Sequence, residues 1–175
     1  NILGGYRDIM VDSGHTVFGR STTAQVVAGR FSFDNDQGAG ATIMITYDGQ
    51  GDGTLGGVDL TGGGLFDAFQ FDVTFATDPV PYTITVDSGA GNFAFGGTIA
   101  EDFAGAERVD FTNFTGVDFT DVNGVAVTFD VADAANLELD AFRSTQVPVP
   151  GALPLLATGL AGLGFLGWRR RRADG

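Results

Sequence analysis

The stretch 67-DAFQFDVTFAT-77 decides the fold class of this chain. Apolar and polar side chains alternate along it, and the apolar positions are Phe69, Phe71, Val73 and Phe75. Successive side chains of a β-strand point to opposite faces, whereas an α-helix would scatter these four side chains around its circumference. The stretch therefore predicts a half-buried antiparallel strand whose four apolar side chains face a core.

The same alternation recurs along the chain, in stretches separated by turns rich in glycine and aspartate. Glycine supplies positive φ in such turns, and aspartate hydrogen-bonds its own backbone. No stretch before residue 147 has helical periodicity over three turns. Many short strands joined in this way predict an all-β, antiparallel β-sandwich with an aromatic core. The predicted strands lie within residues 7–11, 29–34, 40–49, 82–89, 92–97, 124–133 and 136–142.

The last predicted strand belongs to a longer segment with a family resemblance. In this last strand, Leu137, Leu139 and Ala141 are expected to face the core. The segment 116-GVDFTDVNGVAVTFDVADAANLELDAFR-143 resembles the closing strands of galactose-binding-like jelly rolls. The resemblance consists of a V-x-F segment followed by a strand with an L-x-L-D pattern. It implies a jelly-roll-like topology rather than an immunoglobulin-like one.

Charge divides the chain into an acidic body and a basic end. The net charge is −13, but residues 1–146 hold 21 acidic side chains against 5 arginines, while the last 29 residues hold 4 arginines and 1 aspartate. A body of that sign repels phosphate groups, so the composition excludes nucleic acid and favours cations or basic proteins as partners. The chain has no cysteine, which excludes a disulfide framework and a thiolate metal site.

The end of the chain has the pattern of a membrane anchor. Residues 151–168 carry no charge, and as an α-helix they would span about 27 Å, close to the thickness of a bilayer core. Pro148 and Pro150 predict a stiff linker before this helix, and Trp168 stands where an interfacial aromatic belongs. Arginines follow at once and are expected to stay in the cytoplasm, with the acidic body outside it. They are Arg169, Arg170, Arg171 and Arg172.

The sequence thus predicts four parts. Residues 1–146 form an acidic β-sandwich, 147–150 a proline linker, 151–168 a transmembrane helix and 169–175 a cytoplasmic tail. The chain begins at Asn1 rather than Met, as expected for an exported protein whose signal peptide has been removed. We therefore expect the body to lie in the periplasm, anchored to the inner membrane.

A proline-rich turn, an apolar helix and terminal arginines in this order resemble the PEP-CTERM sorting signal of Gram-negative bacteria, in its V-P-x-P-A variant. The match covers Val147, Pro148 and Pro150, then 153-LPLL-156 and 159-GLAGLG-164. Val149 stands where the family usually has Glu, and Gly151 where Ala is common. The resemblance implies export, retention in the inner membrane by the helix, and recognition by an exosortase-type transpeptidase that can remove the tail and pass the protein to the cell surface.

Small side chains share one side of the predicted helix. Ala157 with Ala161, and Thr158 with Gly162, form two small-xxx-small pairs, which let a neighbouring helix approach closely. They predict packing against other membrane-protein chains. The alternative is that such tails are rich in small residues because the sorting enzyme reads them.

Residues 48–59 have the spacing of a twelve-residue calcium loop. Oxygen-bearing side chains occupy the positions that ligate Ca²⁺ in such loops, and Gly53 stands at the sixth position, where a sharp turn is needed. Gln at the third position and Asp at the twelfth depart from the EF-hand pattern, and strands rather than helices flank the loop. It is either a Ca²⁺ site or a plain connection between strands. The candidate ligands are Asp48, Gln50, Asp52, Thr54 and Asp59.

Two functions of different classes remain from the sequence. The first is a non-enzymatic, membrane-anchored envelope protein that acts as an interaction or structural module, as an accessory subunit or protomer of a larger membrane assembly. The alternative is a carbohydrate-binding cell-surface or matrix protein released by exosortase-type processing. Because the only tryptophan belongs to the membrane boundary, a sugar platform would have to use Tyr6, Tyr47 or Tyr82. No enzyme is expected, since the sequence has no phosphate loop, zinc motif or dinucleotide fingerprint.

Overall fold

The computed structural model describes residues 6–16, 19–51, 53–131 and 134–146. The predicted linker, transmembrane helix and arginine tail therefore lie outside the described residues. The described chain forms ten β-strands and a short 3-10 turn, Phe111–Asn113. The strands are β1 Asp8–Thr16, β2 Thr22–Val27, β3 Arg30–Asn35, β4 Ala39–Tyr47, β5 Ala68–Ala76, β6 Val80–Ser88, β7 Gly91–Ile99, β8 Gly105–Asp110, β9 Val122–Val131 and β10 Leu137–Thr145.

The strands form two five-stranded antiparallel sheets. Sheet A has the order β1-β4-β9-β6-β7, and sheet B has the order β2-β3-β10-β5-β8. From β3 onward the chain changes sheet at nearly every connection, and only β6 and β7 follow one another in the same sheet. This alternation is that of a jelly roll. The all-β antiparallel sandwich predicted from the sequence is confirmed.

An aromatic layer fills the space between the sheets. Phe71 is fully buried, and its ring lies 5.0 Å from Tyr82, 6.0 Å from Phe129 and 4.9 Å from Phe142, measured between ring centroids. Rings at these separations in edge-to-face or tilted arrangements stabilise a core beyond the area that they bury. A second group of rings surrounds Phe69 at one end of the sandwich.

Two irregularities in sheet B reverse the alternation that the sequence predicts. Glu138 pairs with Phe75 but Leu139 pairs with Val73, so Thr74 is an extra residue in β5. Phe75 is consequently 42% exposed, and its prediction as a core residue is wrong. A second shift after Leu139 pairs Ala141 with Asp72 and Phe142 with Phe71. Because an extra residue in a ladder inverts every later side chain, Phe142 packs into the core instead of Ala141.

Two of the three tyrosines are core residues. Tyr47 and Tyr82 are 3% and 4% exposed, so of the three tyrosines considered for a sugar platform these two are not available at the surface. The Tyr82 hydroxyl donates to Glu107 Oε1 at 3.3 Å, and it passes over Gly97, where a Cβ would collide with it. Burial raises the pKa of both phenols above the ordinary 10.0, aided at Tyr82 by the negative charge of Glu107 and opposed at Tyr47 by Arg7.

Alkaline pH is therefore expected to destabilise the domain. The pKa of both phenols is higher in the folded protein than in the unfolded chain. Their contribution to stability is therefore complete below the pKa of the unfolded chain, near 10, and is lost as the pH rises through the pKa values of the folded protein. Thermal unfolding measured across this range should show a falling melting temperature, and Tyr82→Phe should flatten the fall. Both phenols ionising at their ordinary pKa in the folded protein would contradict this assignment.

Candidate functional site

The outer face of sheet B carries a row of four side chains in register. Gln25 on β2 pairs with Ser32 on β3, Ser32 pairs with Glu138 on β10, and Glu138 pairs with Phe75 on β5. Directly paired residues of a ladder share a face, so the row crosses four strands on the solvent side. At about 4.8 Å between strands it is about 14 Å long. Hydrogen-bonding groups thus lead up to one exposed aromatic ring.

A trough of about 580 Å³ lies on the same face and is lined by the three polar members of this row. Arg30 lies in it and bridges two carboxylates of β10, with Nη1 3.1 Å from Glu138 Oε1 and Nε 3.2 Å from Asp140 Oδ1. The side chain of Arg30 is 54% exposed, so the guanidinium keeps free hydrogen-bonding capacity toward solvent. The trough is also lined by Gln25, Val27 and Ser32.

A second band of paired charges continues across sheet B. Arg143 Nη2 lies 2.7 Å from Asp72 Oδ2, and Gln70 Nε2 donates to Asp72 Oδ1 at 2.5 Å. On the edge strand β8, Arg108 contacts Asp67 at 2.7 Å and Asp110 at 2.8 Å. Fixed donors and acceptors therefore alternate over most of this face, and each of these arginines already has a carboxylate partner.

Exposed aromatic rings are scarce on this molecule. Among the described aromatic side chains, the exposed ones are Tyr6, at 50%, and Phe75, at 42%. Tyr6 precedes the edge strand β1, whereas Phe75 lies on an inner strand of sheet B beside the polar row. Phe75 could not be recognised as a surface residue from the sequence, because no residue of the stretch signals the bulge at Thr74. Arg30 and Glu138 carried no motif that could have drawn attention to them.

Sheet A offers a smaller depression of about 280 Å³ on its outer face. Its lining includes Thr46, Asp48, Thr85 and Asp87. Gly124 lies between the two aspartates, since a Cβ there would be 3.9 Å from the Cβ of each. Small side chains cover this face, and its lining includes no aromatic ring. It is the weaker candidate for a binding site.

In the described part of the predicted calcium loop, two of the candidate ligands accept hydrogen bonds within turns. Thr61 donates to Asp59 Oδ1 through its N–H at 2.8 Å, and Gly63 N–H donates to Asp59 Oδ2 at 2.9 Å. Hydrogen bonds from Thr61 and Gly63 lower the pKa of Asp59. Thr54 Oγ1 accepts from Gly56 N–H at 3.0 Å, while Asp52 lies outside the described residues.

A Ca²⁺ site in this loop stays a prediction. Within the ranges that the structure describes, no three or more His, Cys, Asp or Glu side chains are grouped so that they could hold a metal ion. Asp48 faces the outer side of sheet A beside Gly124, and Gln50 is exposed. Of the described ligand candidates, Thr54 and Asp59 thus hydrogen-bond within their own turns.

The sorting, anchor and helix-packing residues predicted from the sequence all lie within 147–175, outside the described residues. In the part of the chain that the structure covers, no helix is long and apolar enough to cross a bilayer. Export, inner-membrane anchoring and recognition by an exosortase-type enzyme therefore stay predictions.

No protein-family model matches the chain, and no curated protein matches it in sequence. Solved structures are similar in fold. PfGH50B superposes with a TM-score of 0.51 at 8% identity, and the match covers 81% of this chain and 23% of that chain. The agarase AgWH50C superposes with a TM-score of 0.50 at 11% identity, and the match covers 75% of this chain and 22% of that chain. A family 11 carbohydrate-binding module from Clostridium thermocellum, in complex with a β-1,3-1,4-mixed-linked tetrasaccharide, superposes with a TM-score of 0.49 at 13% identity. The match covers 84% of this chain and 91% of that module.

These similarities define the class of fold. The chain is a jelly-roll-like β-sandwich, and it spans less than a quarter of the length of PfGH50B and of AgWH50C. Identities this low show shared architecture and nothing about the ligand.

Proposed function

We propose that this chain is a non-catalytic carbohydrate-binding module that holds a glycan on the outer face of sheet B. The observation that carries the proposal is the in-register row of Gln25, Ser32 and Glu138 ending at the exposed ring of Phe75. A sugar presents hydroxyl groups at its edges and apolar C–H groups on its faces. A polar row beside an aromatic ring complements both.

The ion pairs of sheet B favour binding because they fix the polar groups before a ligand arrives. Arg30 is held by Glu138 and Asp140, and Arg143 by Asp72. A side chain that is already held loses less conformational entropy when it binds a ligand. Guanidinium groups donate and carboxylates accept, so the face can satisfy hydroxyls in either role.

Two further facts support this function over that of an accessory membrane subunit. A domain of this fold occurs in a protein named as an agarase, which acts on a polysaccharide. The assembly hypothesis, by contrast, depends on residues 147–175 alone. The two are compatible in one respect, since the predicted sorting signal would display a glycan-binding body outside the cytoplasm.

The direct test is binding to a panel of polysaccharides by affinity electrophoresis and calorimetry. Agarose, mixed-linked β-glucan, mannan and β-1,4-galactan cover the main neutral backbones. Phe75→Ala is expected to weaken binding to the preferred glycan about tenfold, which corresponds to about 1.4 kcal/mol of lost ring contact. Arg30→Ala should weaken it as well, because it removes donors from the trough.

Met10→Ala is the matched control for Phe75→Ala. Met10 is 52% exposed and lies on β1, in the other sheet, so its truncation should leave glycan affinity unchanged. Equal losses from both variants, or no binding to any glycan by a folded protein, would overturn the proposed function.

A further inference from the structure

Strand β7 forms one free edge of sheet A and lacks the features that protect most edges. It pairs with β6 over all nine residues without a bulge, and no other described strand pairs with its outer side. Its sequence, 91-GNFAFGGTI-99, has no charge and no proline. A regular edge of this kind presents a row of unpaired N–H and C=O groups to any further strand.

The other three edges are protected. β1 carries Asp8 and Asp12 and is interrupted by a register shift after Asp12. β8 is six residues long and carries three charged side chains. β2 is also only six residues long. Short length, charge and bulges are the usual means by which proteins keep an edge from pairing with another chain, so β7 differs from the rest of the molecule.

The side chains of β7 fit the addition of a strand. Phe93 and Phe95 point toward the core but are only half-buried, whereas Ile84, the partner of Phe95 on β6, is fully buried. A further strand would cover the two rings. On the outer face, small side chains such as Ala94 and Thr98 leave room for a close neighbour.

We propose that two copies of this chain pair through β7 in antiparallel fashion, joining their A sheets into one continuous ten-stranded sheet. An antiparallel self-pairing obeys a two-fold axis, which is the commonest symmetry of homodimers. With Phe95 on the axis, Phe93 faces Gly97 of the second copy, and Ala94 faces its Gly96. Phe93 therefore meets a residue without a side chain, the two copies of Phe95 meet on the axis, and inward residues meet inward ones.

The strand β7 itself carries no charge that would oppose a second copy. A body with a net charge of −16 in residues 1–146 repels its own kind. β7 has no charged residue, and the nearest acidic partner on β6 is Asp87, opposite Asn92 near one end. Pairing along β7 therefore brings no charged side chains of this strand together, while the sheet's hydrogen bonds supply the attraction.

Disulfide trapping in the full chain tests the proposal, because the sequence has no cysteine of its own. A mixture of Ala94→Cys and Gly96→Cys places a thiol of one copy directly opposite a thiol of the other, on the exposed face of β7 and within reach of a disulfide. Thr23→Cys places one on the edge strand β2, where no pairing is proposed, and is the matched control. Under mild oxidation the β7 variants are expected to form covalent dimer at least tenfold faster than Thr23→Cys, in detergent and at low micromolar concentration.

A second measurement separates this pairing from association through the apolar tail. Asn92→Lys combined with Thr98→Lys adds like charges to the edge, and it should abolish crosslinking between Ala94→Cys and Gly96→Cys while the circular dichroism spectrum stays unchanged. Equal crosslinking rates at β7 and β2, or rapid β7 crosslinking that survives the two lysines, would overturn the proposal. Neither result depends on whether the protein binds a glycan.

Discussion

Phe71→Ala is expected to destabilise the protein by about 4 kcal/mol, because it removes a fully buried ring and leaves a cavity that the neighbouring sheets cannot close. The ring contacts Tyr82 and Phe129 from sheet A and Phe142 from β10, so both sheets lose packing at once. Thermal unfolding should show the melting temperature lowered by about 12 °C. A loss of this size is a large fraction of the stability of an ordinary domain.

Phe75→Ala is the matched control, since it deletes the same ring from the same strand. The sequence pattern treats the two positions alike, but the bulge at Thr74 turns Phe75 outward. Its truncation should cost less than about 1 kcal/mol and affect glycan affinity instead. If both variants lost the same stability, the bulge and the placement of the candidate site would be wrong.

Gly49→Ala is expected to have the second-largest effect, a loss of about 3 kcal/mol. Gly49 has φ +84°, and a Cβ there would lie 2.7 Å from the backbone oxygen of Thr54. The left-handed conformation costs a non-glycine residue about 1 kcal/mol, and overpacking against backbone, which has no rotamer to change, adds about 2 kcal/mol. Chemical denaturation should report the loss as a lowered midpoint with an unchanged slope.

Gly51→Ala separates the two causes within the same loop. Gly51 has a similar φ of +77°, but nothing lies within 4 Å of its added Cβ. Only the conformational cost of about 1 kcal/mol should remain. Adding Ca²⁺ to both variants and to the parent protein also tests the predicted calcium loop, because a ligand that binds only the folded state raises its melting temperature. An unchanged melting temperature in all three would leave the loop as a connection.

The candidate site could not be found in the sequence because its residues come from strands that are far apart along the chain. Arg30 and Glu138 are 108 residues apart, and only the β3–β10 ladder brings them together. Residue types so common on protein surfaces carry no signal until their neighbours are known. Their function depends on the side chains that they contact, and the pairing of strands in the sheet determines those contacts.

The sequence by itself determined the fold class and most of the core. Alternation with period 2 is a local property, so Ile43, Ile45 and Val127 could be assigned to the buried face without knowledge of any partner strand. The acidic body and the turn positions are likewise readable in order along the chain. A local pattern suffices wherever a strand runs without interruption.

Only the tertiary structure decided which side chains meet and where the alternation breaks. The bulges at Thr74 and Asp140 face one another across the β5–β10 ladder, where each strand accommodates the other's extra residue. They move Phe75 out of the core and Phe142 into it. Register belongs to a pair of strands, and one shift inverts every side chain beyond it, so the surface that we propose for glycan binding exists only once the two strands have paired.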